Sequence, residues 1–252
     1  MLLVVPEPQS FQVPDTEPQT VVRPCTKVVY TPSQMKELKQ ATDFAEHPIH
    51  GLVNSLLQNN VNLVLEFSRY VHLGPGRTLS RDIFHVEAAN LNATWLANQI
   101  CSLSQKQELA LHSRVLQQGQ AYHIPMVDFA HVESLETLLE KTVPVSQLLS
   151  TDIALYDSGQ SMHGYYFCMI GEREWYKYLG KLLLCNGRLA MDEHVVDSRW
   201  VGHSLDHGFS ALRWSCNSGI YSGLPQLANV FNRRTEHRTM PPTTSFPVFH
   251  TD

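Results

Sequence analysis

The chain has 252 residues, of which 43% are hydrophobic and 17% charged. That composition excludes a disordered or fibrous protein and suits one large domain or two intimate subdomains. A net charge of −5 and a pI of about 6.2 exclude binding to duplex DNA by overall charge, so any nucleic-acid role rests on a local patch.

Cys25, Cys101, Cys168, Cys185 and Cys216 form no CxxC pair. They point to free thiols in a reducing compartment rather than a disulfide frame or a zinc site. The opening Met-Leu-Leu-Val-Val meets Pro6 and Glu7 without a basic lead. It is too short for a signal peptide or a membrane span, and the expectation is a cytoplasmic protein with no membrane partner.

Pro6, Pro8, Pro14, Pro18 and Pro24 mark residues 1–30 as an extended arm. Thr31 and Pro32 then open a helix expected to run to about Phe44. After His47-Pro48, a second apolar run places Leu52, Leu56, Leu57, Val61 and Val64 on one stripe, although residues 61–67 also alternate as a strand would. Gly74-Pro75-Gly76-Arg77 is a turn without the spacing or the lysine of a phosphate loop. Residues 83–86 read as a strand and 90–101 as a short helix. The spacing predicts a clearer helix over 104–118, capped by Ser104 and ended by Gly119.

Residues 123–130 form a short apolar strand interrupted by Asp128. Helices are expected over 134–141, 145–149 and 172–185, the last turning Trp175, Tyr178, Leu179, Leu182 and Leu183 inward. Residues 153–156 and 164–170 read as a hairpin, 195–197 as a strand end, and 209–215 as another strand. The tail 233–252 is polar and proline-bearing. The mixture of strands, hairpins and helices gives an α+β class.

The segment Tyr156-Asp157-Ser158-Gly159-Gln160-Ser161-Met162-His163-Gly164-Tyr165 puts small residues before an aromatic run. It reads as a tight turn that delivers Ser161 and His163 to one side of a strand. That pair can bind an anionic ligand such as phosphate, or the histidine is a satisfied part of a hairpin. Asp128 is a carboxylate among apolar residues, costly unless paired, capping a turn or bound to metal. Asp197 repeats the situation after Val195-Val196, and Arg199 stands ready to assist it or pair with it. Two such acids suit Mg²⁺ or Mn²⁺. Arg213, on an otherwise apolar strand, must meet an internal carboxylate or a phosphate, and the turn Cys216-Asn217-Ser218-Gly219 can close over the same place. His194, His203 and His207 match no zinc spacing, and no G-x-S-x-G elbow supports a serine hydrolase.

Taken in order, Met126-Val127-Asp128-Phe129, Ser158-Gly159-Gln160-Ser161-Met162-His163-Gly164-Tyr165, Val196-Asp197-Ser198-Arg199 and Leu212-Arg213-Trp214-Ser215 resemble motifs I, II and III and the following strand of the archaeo-eukaryotic primase superfamily. The resemblance spans roughly residues 80–230. It departs from the family at motif I, where the second acid is replaced by Ala130; His131, Glu133 and Asp157 are the nearby substitutes. It implies a primase-like fold, with an RRM-like antiparallel sheet half packed against a second α/β unit. The division it implies is an arm (1–30), an N-terminal helical or α/β portion (31–80), a catalytic core (81–232) and a tail (233–252). By the same resemblance Asp128, His163 and Asp197 are catalytic, and Asp128 and Asp197 hold Mg²⁺ or Mn²⁺. Ser161, His163, Arg199 and Arg213 bind a nucleoside triphosphate. The implied activity is primase-polymerase nucleotidyl transfer on a single-stranded DNA template, with a helicase or another replication protein as partner. A catalytically inactive nucleotide- or nucleic-acid-binding module on the same fold is the alternative.

Overall fold

Two antiparallel sheets share one apolar core, and helices cover the far side of the second sheet. The computed structural model describes residues 44, 46–60, 62–71, 81–130, 132, 135–159, 161–187, 194–221 and 223–231. The expected arm, the helix opening at Thr31, the Gly74–Arg77 turn, His131, Glu133 and the polar tail lie outside the described residues. A short helix α1 (Pro48–Gly51) continues as π and 3₁₀ turns to Asn59. Leu52, Leu56 and Leu57 are buried as the stripe requires, but the run then changes to strand β1 (Leu63–Val71).

In the first sheet β1 pairs with β2 (Asp82–Glu87) on one edge and β3 (Gln107–Gln117) on the other. β9 (Ala211–Arg213) takes the first half of the free edge of β3, β4 (Gln120–His123) takes the second half, and β8 (Ile170–Gly171) adds to β4. The second sheet has the order β10 (Gln226–Phe231), β6 (Ile153–Asp157), β7 (Met162–Tyr165), β5 (Met126–Asp128). Among the described residues no helix is long and apolar enough to cross a membrane.

The helix expected over 104–118 is instead β3, the centre of the first sheet. Leu109, Leu111 and Val115 satisfy either period, so the choice falls to long-range pairing. β1 and β9 hydrogen-bond both edges of the segment, and Trp214 N donates to Leu109 O at 2.7 Å. The expected strand 123–130 is divided by Ile124-Pro125, and its halves, β4 and β5, belong to different sheets. Likewise β7 stops at Tyr165 and β8 begins at Ile170 on the other sheet.

Helix α2 (Ala93–Ser102) starts where the Asn92 side chain accepts from Trp95 N at 2.9 Å. Helix α3 (Leu135–Ser146) runs unbroken through Pro144, joining two segments that the sequence had suggested were separate. Helix α4 (Glu172–Asn186) buries Trp175, Tyr178, Leu179 and Leu182; Leu183, expected inward, lies at 37% exposure. Helix α5 (Ser198–His207) follows Asp197 and stops at Gly208, whose φ of 75° suits glycine. Val127, Phe129, Ile153 and Leu155 pack under α3, α4 and α5, while Met126, Tyr165, Ala154 and Tyr156 on the opposite face join the first core. The class is α+β. Among the described residues Cys168 and Cys185 are free thiols.

Candidate functional site

The alternation that sends Val127 and Phe129 into the helical layer sends Asp128 the other way, toward the first sheet. Its partner across β5 and β7 is His163, and the next residue in that row, on β6, is Tyr156. Phe129 N donates to Met162 O at 2.9 Å, which leaves Asp128 and His163 as a close, non-hydrogen-bonded pair with side chains on one face. Gly164 lets the strands meet here. A side chain on it would stand 2.7 Å from Ile153 Cδ1, deep under the helices.

The turn before β7 is built from Ser158. Its N–H and its hydroxyl both donate to Ser161 O, at 2.9 and 2.7 Å, and Gly159, with φ 87°, receives support from Asp157 Oδ1 at 2.7 Å. Ser161 Oγ lies 3.1 Å from Ser158 Oγ and also hydrogen-bonds Asp128. Ser161, His163 and Asp128 therefore converge.

Asp197 arrives from the other side of β5. Val196 bridges Phe129, Ala130 N donates to Val195 O, and Asp197 N donates to Asp128 O at 3.0 Å. Asp197 Oδ1 accepts from Arg199 N at 2.8 Å and Trp200 N at 3.4 Å, capping α5. Its Oδ2 is 3.5 Å from Arg199, which is 77% exposed. The capping role weighed for such acids falls to Asp197. Asp128 caps nothing among the described residues, and its Oδ1 is buried without a partner; His163 Nδ1 is buried without one as well.

Burial, and then the Asp197 carboxylate, push Asp128 up to about 7, against the pull of Ser161, Arg213 and Arg199. Burial, with Arg213 adding to it, pushes His163 down to about 3, so the imidazole is neutral at ordinary pH. Arg213 is buried on β9 and meets carbonyls. Its nitrogens donate to Ser215 O and Ser158 O, and to Gly223 O at 3.3 Å, while its guanidinium lies 3.8 Å over the Tyr221 ring. It braces the Ser158 turn against the 215–223 loop.

Residues 87–226 match the AEP-like family, described as archaeo-eukaryotic primase 1D-like. The chain belongs to the archaeo-eukaryotic primase family. No curated protein and no solved structure matches it. The matched stretch contains Asp128, Ser161, His163, Asp197, Arg199 and Arg213, so the converging side chains are those of a primase-family domain.

Within that family setting the donor set is short. Among the described residues no group of three or more His, Cys, Asp and Glu is placed to hold a metal ion, and Ala130 offers only its backbone. Asp128 and Asp197 remain. An orphaned, buried Asp128 oxygen beside a second carboxylate is a donor set that would suit one divalent cation. Among the described residues, these two carboxylates alone do not build a two-ion site.

Sequence reasoning missed several buried polar residues that order the fold. Glu108, on β3, accepts from Asn217 N at 3.0 Å and Ser218 N at 2.7 Å, pinning the turn that follows β9. Glu66 joins His112 (2.7 Å) and Arg114 (2.6 Å) across β1 and β3. Reading 104–118 as a helix hid the strand faces that place both. Asn186, at the end of α4, fixes the approach of Asp197 through Val195 N and Val196 N, both at 2.9 Å.

Proposed function

We propose that this domain binds a nucleoside triphosphate with one divalent cation and transfers its nucleotidyl group in primase-polymerase fashion, along a single-stranded DNA template. The observation that carries the reading is the row in which Asp128 and His163 each leave a buried polar atom unsatisfied, beside Asp197 and within the influence of the Arg213 charge. Asp128 and Asp197 would hold Mg²⁺ or Mn²⁺. Such an ion, when bound, neutralises phosphate charge and favours the ionised form of Asp128.

The chain's own groups do the rest. The Ser161 hydroxyl and the neutral His163 imidazole donate to phosphate oxygens. Arg213, its nitrogens engaged with carbonyls, contributes fixed positive charge and holds the Ser158 turn that carries Ser161. Arg199, exposed at the start of α5, meets the outer phosphates. Attack by a primer 3′-hydroxyl on the α-phosphorus forms the new phosphodiester bond and releases pyrophosphate. A helicase or another replication protein is the partner class this activity calls for.

Primer extension with Mn²⁺ and labelled nucleotides tests the reading. Extension by the parent chain, and its loss in Asp128→Asn, are expected. Extension that survives unchanged in Asp128→Asn overturns the reading. A second reading, a nucleotide-binding module without turnover, is favoured by Ala130 in motif I. Calorimetry that finds metal-independent triphosphate binding, together with no extension, selects it.

A further inference from the structure

A second concavity lies on the same face of the second sheet, toward its β10 edge. The Pro48–Asn59 segment roofs it, and its volume is about 470 Å³. That is within the roughly 300–1,000 Å³ of small-molecule sites. Its apolar wall is built from Tyr156 and Phe167. Gly51 presses directly on both rings, so a side chain there would collide with each. Tyr156 is only 2% exposed and lines the cavity.

The rim defines the chemistry. Glu46, Asp152 and Asn54 line it, and among the described residues no lysine or arginine does. Carboxylates accept N–H groups and repel phosphate. The aromatic wall suits a flat ring. We propose that this cavity binds a nucleobase, preferring bases that carry an exocyclic amino group, with Tyr156 bonding the ring edge and Glu46 or Asp152 accepting the amino hydrogens. Tyr156 stands opposite His163 across β6 and β7, so the cavity is one strand from the triphosphate site proposed above. The base belongs either to the nucleotide held there or to a separate nucleoside. The proposal itself does not depend on turnover.

Titration calorimetry of the full chain with adenosine, cytidine, uridine and ATP tests it. Adenosine and cytidine are expected to bind at least about fivefold more tightly than uridine, the size of one well-made hydrogen bond. Tyr156→Phe, which removes only the hydroxyl, is expected to weaken adenosine about fivefold. Asn54→Phe, an exposed rim position, is expected to fill the mouth and weaken it by about tenfold or more without changing the melting temperature. Competition between adenosine and ATP assigns the base to the bound nucleotide. Simultaneous binding assigns it to a separate nucleoside, and either result upholds the cavity. Absence of nucleoside binding, or binding unaltered in both variants, overturns it. Adenosine binding retained in Asp128→Asn, with no extension activity in the parent chain, sinks the transferase reading and leaves this one standing.

Discussion

Asp128 and His163 face each other across β5 and β7, and neither Asp128 Oδ1 nor His163 Nδ1 has a protein partner among the described residues. A pair of buried polar atoms left open on neighbouring strands is a cost to folding. It is retained here within the stretch that matches the primase family.

That cost has a pH signature. Asp128 is raised from 3.8 to about 7 by burial and by Asp197. Between those values the native state keeps a proton that the unfolded chain has released. Stability therefore falls as pH rises through the window and is lowest above about 7. Asp128→Asn is expected to melt higher than the parent at about pH 8, by on the order of 2–4 kcal/mol, with the difference vanishing near pH 4. Thermal melts across that range check it. A difference that does not vary with pH contradicts the buried, proton-retaining carboxyl.

Asp197 caps α5, and the proposed cation would give it a second role; two substitutions separate them. Asp197→Asn keeps an oxygen for Arg199 N and Trp200 N and is expected to leave stability nearly unchanged. Asp197→Ala is expected to lose about 1 kcal/mol of the α5 cap. Nucleotidyl transfer is expected to disappear in both, because neither side chain carries a charge for a cation. Full extension activity in Asp197→Asn would reduce this residue to a helix cap.

Glu66 anchors a buried polar cluster away from the site. Burial pushes its carboxyl up, but hydrogen bonds from His112 and Arg114 prevail and pull it down to about 2. Its contribution is present above the usual carboxylate range and is lost as pH falls through about 2. Glu66→Gln is expected to cost roughly 3 kcal/mol near neutrality, read from the urea midpoint, because His112 and Arg114 lose their shared anion.

Arg213→Lys is expected to be a severe change despite the conserved charge. A lysine offers no planar fork to join Ser158, Ser215 and Gly223. A loss of about 2–3 kcal/mol is expected in chemical unfolding. Triphosphate affinity is expected to fall with it, since the Ser158 turn positions Ser161. Affinity that stays intact would separate the brace from the site.

Much of the fold around the site was legible. The turn at Ser158–Gly159 and strands β6 and β7 follow from local chemistry: small residues, a glycine at φ 87°, then an aromatic run. The cap of α5 at Asp197 had a local signal too, since an acid precedes a helical run that ends at Gly208, although the helix itself was not foreseen. β3 was misread because Leu109, Leu111 and Val115 fit two periods, and hydrogen bonds from β1 and β9, far away in the chain, chose between them. Arg213 was expected to meet a carboxylate or a phosphate; its carbonyl partners at 158, 215 and 223 come from two loops whose approach no local pattern encodes.

The amino-acid order by itself determined the succession of motifs, the residue types available to bind phosphate and the absence of a second acid at Ala130, because each of these is a property of a few neighbouring residues. Only the tertiary structure decided that Asp128 and His163 share one face, that Asp197 reaches them while capping α5, and that Tyr156 opens onto a cavity. Those outcomes depend on strand register and on which surfaces are buried together, and both are set by contacts between segments tens of residues apart.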